Sequence, residues 1–313
     1  MARYTDLGED EVFALAGRYG LTLQEFTPIE GGAGNTSYLL QSRQGEFVLT
    51  LFDDKSRSEV EKLGRLLLLL EKHGFPATPL VSTVQGGITV MYADKPVMVK
   101  HYISGDVCRD LDVAMLSQAG AKMAMLHQLA VPHQLLEPNH AYGLQLFESV
   151  IGANIDTRYE SWLAGQIAYL TQKIPMDAPR GFIHGDLFYD NLLFDGDQFR
   201  AIIDFEEACY YYKAFDLGMG IVGMCSDDTT LAPAKARALV SGYQSVRELE
   251  EVEMMALPLF CEYAATATSC WRYWKYNIHT PIAKNAGKHW QMARLAQQIR
   301  GMDAAIFQNR KSI

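Results

Sequence analysis

Only five of the 313 residues are cysteine, and Cys108, Cys209, Cys225, Cys261 and Cys270 form no C-x-x-C pair. That odd, scattered set excludes a closed disulfide framework and a cysteine-based zinc site, and suits free thiols in a reducing cytoplasm. Long hydrophobic runs are lacking too. The greasiest, residues 66–70, is five leucines between Arg65 and Glu71, against about 20 apolar residues for a membrane span. Its plain reading is a helix buried against a sheet. The opening M-A-R-Y-T-D-L-G-E-D-E has neither an apolar core nor a small-residue cleavage site, so no secretory signal is expected there. Positive charge is in short supply: 28 Lys and Arg face 37 Asp and Glu, for a formal net charge of -9. Nucleic acid is therefore not expected as the main partner, since neutralising phosphates needs clustered basic residues. Internal repeats, low-complexity linkers and a G-x-x-x-x-G-K-[ST] phosphate loop are all missing.

What is present is an ordinary globular composition, 49% hydrophobic and 21% charged, in a chain long enough for two modest lobes or one large one. The first hundred residues alternate short apolar runs with Gly turns, and 37–41, 46–52, 87–92 and 96–103 read as strands. Residues 56–73 between them read as a helix. Two overlapping capping boxes, Ser56 with Glu59 and Ser58 with Glu61, open it, and Gly74 and Pro76 follow its end. Beyond Gly105 the period changes to helical, over 112–130, 159–173, 232–246 and 250–276. Only 181–204 interrupts, with two short strand-like runs. The expected organisation is α+β, a small antiparallel-sheet lobe over 1–103 and a mostly helical lobe over 104–313. A cleft between two such lobes is where small ligands usually bind.

One stretch carries chemistry. Residues 182–191 read F-I-H-G-D-L-F-Y-D-N, and 202–205 read I-I-D-F. His184, Asp186, Leu187 and Asn191 fill the H-x-D-L-x-x-x-N pattern of a protein-kinase catalytic loop, and Asp204 and Phe205 begin a D-F-G, with Glu206 in place of the Gly. A carboxylate at Asp186 can accept the proton of an attacking hydroxyl. The amide oxygen of Asn191 and the carboxylate of Asp204 are hard ligands suited to Mg2+, which spans ATP phosphates and neutralises charge during in-line transfer. Asp and Asn taken singly often do no more than cap turns. His184 reads as a support that hydrogen-bonds loop backbone, and Asp190 as a solvated turn residue.

The loop I-H-G-D-L-F-Y-D-N with I-D-F-E-E-A resembles the aminoglycoside phosphotransferase and choline kinase group, whose members have a protein-kinase-like two-lobed fold and act on small hydroxyl-bearing molecules. Within it, the Y-T-D-L opening, E-G-G-A-G-N-T-S-Y-L-L, F-V-L-T-L-F, and S-G-Y-Q-S-V-R followed by L-P-L look like the bacterial homoserine kinases of the non-GHMP type. These pieces span residues 4 to 259. The resemblance implies ATP and Mg2+ as cofactors, Asp186 as catalytic base, Asn191 and Asp204 as metal ligands, and Asp216 as a brace for the catalytic loop. A helix N-cap is an equal reading of Asp216. Gly31, Gly32, Gly34 and Asn35 would form a loop over the nucleotide, although a glycine turn in a hairpin is more often only a turn.

Here the sequence departs from the wider kinase pattern. The third strand should carry a Lys reaching the α- and β-phosphates, yet F-V-L-T-L-F puts Thr50 there. Lys100, Lys55 or a second magnesium ion is the expected substitute, and Glu59 and Glu61 then serve as caps or solvated residues. Residues 99–102, with Tyr102, should connect the lobes and present backbone to adenine. For the small-molecule substrate, homoserine needs an acceptor for its ammonium group, for which Glu206 and Glu207 are placed, and a donor for its carboxylate, for which Arg272 in C-W-R-Y-W-K-Y is the candidate. Arg272 stacking on Trp or pairing at the surface is the other reading. Choline or ethanolamine is the competing substrate, with Tyr210, Tyr211, Tyr212, Trp271 and Trp274 as a cage. A nucleotide-binding module without catalysis is the rival from another class.

Overall fold

The computed structural model describes residues 5–29 and 34–308. The chain divides into two compact units, one of residues 1–105 with 200–203 and one of 106–199 with 204–313. The first contains α1 (Glu9–Arg18), β1 (Leu23–Ile29), β2 (Asn35–Ser42), β3 (Gly45–Phe52), α2 (Arg57–Lys72), β4 (Val90–Tyr92) and β5 (Lys95–His101). The strands form one sheet in the order β1-β2-β3-β5-β4, and every neighbouring pair is antiparallel. The period-2 alternation of β2 and β3 sets its two faces. Tyr38, Leu40, Leu49, Leu51, Val97 and Val99 turn to one side and cluster with Val12, Leu15 and Ala16 of α1. On the other side lies α2, close enough that a Cβ on Gly64 would stand 2.3 Å from Ile88 and 3.2 Å from Met98.

Of the two capping boxes read from the sequence, only the first forms. Ser56 is the N-cap of α2, and its backbone N–H donates to Glu59 at 2.8 Å. Ser58 instead shares a hydroxyl contact with Ser56, while Glu61 accepts from Arg57 at 2.7 Å. Glu59 thus caps the helix and Glu61 pairs within it.

The second unit contains α3 (Val113–Gln128), α4 (Leu144–Val150), α5 (Thr157–Lys173), β6 (Arg180–Ile183), β7 (Leu192–Asp195), β8 (Gln198–Ile202, whose end belongs to the first unit), β9 (Cys209–Tyr212), α6 (Lys213–Met224), α7 (Pro233–Gln244), α8 (Glu251–Tyr273) and α9 (His289–Ile299). β6 pairs antiparallel with β9, and β7 pairs with β8. The helices α3 and α7 approach through two glycines. A Cβ on Gly120 would lie 2.0 Å from the Leu239 carbonyl oxygen, and one on Gly242 2.0 Å from that of Ser117. No larger residue fits at either point.

The chain adopts the expected α+β organisation, with an antiparallel sheet in the first unit and mostly helices in the second. The last long helix corrects one expectation: helical period continues to Tyr276, but the α-helix ends at Tyr273 and a wider π-helical turn, Trp274–His279, follows. Among the described residues no helix is long and apolar enough to cross a membrane, and all five cysteines are free.

Candidate active site

Strand β6 ends at Ile183 and delivers the chain into the H-G-D loop, and the short 3-10 turn Tyr189–Asn191 leads out of it into β7. Gly185 makes the turn possible. It sits at φ +87°, where L side chains are strained, and a Cβ there would stand 2.5 Å from the Glu207 carbonyl oxygen and 3.2 Å from the His140 ring. Beneath the loop lies Asp216, fully buried in the first turn of α6. One carboxylate oxygen accepts the His184 N–H at 3.0 Å and the other the Gly185 N–H at 2.8 Å. The N-cap position of α6 belongs to Tyr212 instead. Burial alone would raise the Asp216 pKa, but the hydrogen bonds from His127 and from the Gly185 N–H hold it below the ordinary carboxylate value.

Within the loop, the Asp186 N–H donates to Nδ1 of the buried His184 at 3.3 Å, and the His184 ring packs on Phe205. Asn191 donates through Nδ2 to the Asp186 carbonyl oxygen at 2.7 Å. That bond fixes the amide and turns its Oδ1 to the opposite side. Asp204 is exposed and holds a left-handed backbone, φ 63° and ψ 64°, just before the turn Phe205–Glu207. Such strain in a non-glycine residue is a mark of functional sites. The Asp186 carboxyl is pushed up to about 8 by burial and by the surrounding charge of Asp204, Glu207, Asp190 and Asp216.

A site this rich in carboxylates, with like charge gathered around Asp186, suits a cation. Asn191 Oδ1 and the Asp204 carboxylate are hard oxygen donors, the type Mg2+ takes. No group of three or more His, Cys, Asp or Glu among the described residues is arranged to hold a metal. Two protein ligands fit Mg2+, which usually binds one or two protein oxygens and fills the remainder with water and phosphate.

The remaining residues singled out in the sequence fall as follows. Glu206 and Glu207 sit in the turn after Asp204, both partly buried. Tyr142 lies against Glu207: burial first, then the charges of Glu207, Asp186 and Asp204 push its hydroxyl pKa up. Trp271 meets Tyr142 edge-on at 6.1 Å. Arg272 pairs with Asp228 at 3.0 Å and donates to Gln291 at 3.3 Å, so its guanidinium is engaged within the protein. Tyr211 and Tyr212 meet edge-on, ring centroids 5.0 Å apart, at the end of β9.

In the N-terminal unit, Gly31 and Gly32 lie outside the described residues, Gly34 is an exposed bend and Asn35 opens β2 opposite Phe52. Thr50 is buried, with its hydroxyl 3.4 Å from that of Ser37. It stands opposite Met98, and Lys100 stands opposite Val48, so Thr50 and Lys100 share the α2 side of the sheet. Lys95 is committed to Asp53 at 2.5 Å. Tyr102, 40% exposed, extends the pairing past β5 through its N–H to Glu46 at 3.1 Å. Sequence reasoning missed His127, His140 and Tyr142, which meet the loop or its brace from distant parts of the chain. His140, whose pKa burial pushes down to about 4, donates from Nε2 to the Gly185 carbonyl oxygen at 2.7 Å.

The fold has counterparts among solved structures: an amicoumacin kinase superposes with a TM-score of 0.74 over 95% of each chain at 15% identity. Residues 25–249 match the model of the phosphotransferase enzyme family, and the chain belongs to that family. Its similarity within the family runs to homoserine kinases. That of Gluconobacter oxydans is 31% identical over 296 residues, 90% of this chain and 92% of that protein. That of Phenylobacterium zucineum is 30% identical over 295 residues, 92% of this chain and 90% of that protein.

Proposed function

We propose that this enzyme transfers the γ-phosphoryl group of ATP to the hydroxyl of L-homoserine, giving O-phospho-L-homoserine and ADP. One observation carries the substrate: similarity near 30% identity to homoserine kinases over about nine-tenths of the chain. The catalytic loop geometry supports the reaction type.

Asp186 accepts the hydroxyl proton as the substrate oxygen bonds to the γ-phosphorus and the bond to the β-phosphate oxygen breaks, with that electron pair leaving on ADP. Asn191 and Asp204 would hold magnesium, which when bound would supply positive charge to neutralise that developing on the transferred phosphoryl group. Asn191, tied to the Asp186 carbonyl at 2.7 Å, couples metal position to base position. His184 and Asp216 hold the loop backbone. Residues 1–103 form the nucleotide-binding lobe, with Gly31, Gly32, Gly34, Asn35, Thr50, Lys100 and Tyr102 toward ATP, and residues 104–313 the catalytic lobe. Lys100 takes the part of the lysine absent at position 50. Glu206 and Glu207 receive the substrate ammonium. Arg272 receives the carboxylate only by giving up Asp228. The free thiols suit a cytoplasmic enzyme.

The test is coupled ADP release with Mg-ATP and L-homoserine, choline, ethanolamine and L-serine in turn. Turnover on homoserine well above the others is expected, and Asp186→Ala should cut it by about 10²–10⁴-fold, the usual contribution of a positioned base. A preference for choline would move the substrate to the amino alcohols. Turnover unaffected by Asp186→Ala would overturn the catalytic assignment.

A further inference from the structure

The motif S-G-Y-Q-S-V-R, residues 241–247, has no place in the chemistry above, yet two of its side chains, the buried Tyr243 and the half-buried Arg247, belong to a line of hydrogen bonds that ends at the catalytic loop. Arg247 forms a two-pronged pair with Glu253, at 3.1 and 2.8 Å, and its Nη1 also donates to the Tyr243 hydroxyl at 3.0 Å. The Tyr243 hydroxyl lies 2.7 Å from Nδ1 of His127, and Nε2 of His127 lies 2.9 Å from the Asp216 carboxylate. Asp216 holds the His184 and Gly185 amides. His127, Asp216, Tyr243 and Glu253 are all at least 98% buried.

Donor and acceptor counting fixes the direction of every bond in the line. An ionised Asp216 can only accept, so Nε2 of His127 carries the hydrogen. Burial pushes the His127 pKa down and keeps the ring neutral, so Nδ1 is an acceptor and takes the Tyr243 hydroxyl hydrogen. The Tyr243 oxygen accepts in turn from Arg247, which has only donors. Each member leaves the next a single role. The close approach of α3 and α7 at Gly120 and Gly242 brings together His127 and Tyr243, which lie 116 positions apart in the sequence.

We infer that His127 is a positioning residue for phosphoryl transfer, acting through Asp216 on the 184–186 backbone, and that Tyr243 and Arg247 fix the imidazole tautomer this requires. The inference rests on the kinase reading of the same loop. It predicts that the line sets where Asp186 stands rather than how tightly substrates bind, so its loss should appear in kcat and not in KM.

The experiment compares His127→Leu, His127→Gln and Tyr243→Phe with the wild type, using Thr266→Val as a control that deletes a different buried hydrogen bond in the same unit. His127→Leu should lower kcat about fiftyfold with KM for ATP and homoserine unchanged within about twofold, the scale of a lost hydrogen bond to a charged group. Amide hydrogen exchange at Gly185 should rise with it. In His127→Gln the amide nitrogen can reach the place of Nε2, so kcat should recover to within about tenfold of the wild type. Tyr243→Phe should lose about tenfold and leave KM alone. If His127→Leu does not fold, the Gln and Phe variants and the Gly185 exchange rate decide the matter. A kcat within twofold of the wild type in the His127 variants, a change in KM alone, or a Thr266→Val variant with the same kcat loss would overturn the inference. A wild type without homoserine turnover would instead sink the kinase reading, and Gly185 exchange would still report on the brace.

Discussion

Replacing Gly185 by alanine tests how tightly the loop is held. The added methyl would meet the Glu207 carbonyl oxygen at 2.5 Å, against about 3.4 Å for an ordinary contact. That oxygen belongs to backbone, so one of the two segments must move by about 0.9 Å. The strained φ of +87° adds about 1–2 kcal/mol for a residue with a Cβ, and overpacking at least about 1 kcal/mol more. A total near 3 kcal/mol corresponds to a fall in Tm of about 6–12 °C in a unit of this size. Displacement by nearly 1 Å next to Asp186 should cost about 10²-fold in kcat, as misplacement of that size does elsewhere. Gly196 supplies the comparison, because it also has positive φ, +60°, but a Cβ there would meet nothing within 4 Å. Gly196→Ala should therefore show only the backbone term, about 1–2 kcal/mol, with kcat intact. Thermal melts and coupled ADP release on the two variants settle it. Equal losses in both, or wild-type kcat in Gly185→Ala, would refute the reasoning.

Asp204→Asn keeps a residue that tolerates the left-handed backbone and removes one charge. It should melt close to the wild type, while the Mg2+ needed for half-maximal rate rises by more than about tenfold; an unchanged magnesium requirement would remove Asp204 from the metal site. Lys95→Met should destabilise the first unit by about 1–2 kcal/mol at neutral pH. Burial works to raise the Asp53 pKa, but bonds from Lys95, Thr5 and Thr36 hold it below the ordinary value. The carboxylate therefore contributes stability above about pH 4 and loses it as pH falls through the lowered folded pKa. Urea melts of the two proteins should accordingly converge as pH drops below 4, and an undiminished gap at pH 3 would show that the ion pair is not the source.

The elements legible in the sequence are those that bury one regular face. Helix α2 shows its period, its Ser56 cap and its Gly74 stop within a single stretch, so its observed limits fall within a residue of those read. The first strand was invisible for the opposite reason. β1 is an edge strand that buries only Leu23 fully and includes Pro28, so it shows no alternation to read. Helix α6 escaped notice because it is buried on every side from Ala214 to Met224, and an all-round apolar helix has no polar face to reveal its period.

The same distinction separates what could and could not be read of the site. Asp186, Asn191 and Asp204 belong to one strand–loop–strand segment, so local spacing encodes their geometry and the nineteen residues 186–204 suffice to display it. What holds that segment comes from elsewhere. His127 and Tyr243 lie 116 positions apart, and His127 and Asp216 lie 89 apart. Each sits in a helix whose apolar period accounts for it as a core residue, and nothing in either helix alone names its partner. Only the approach of α3 and α7 at Gly120 and Gly242 converts two unremarkable buried residues into consecutive links. A loop that must place a carboxylate to within a fraction of an ångström cannot do so with its own few hydrogen bonds, because its backbone has no ladder to complete. It borrows rigidity from the helices beneath, through a line of hydrogen bonds from Arg247 through Tyr243 and His127 to Asp216. That is why the chemistry was written in one short stretch, and the machinery that keeps it in place was distributed over the whole of the second unit.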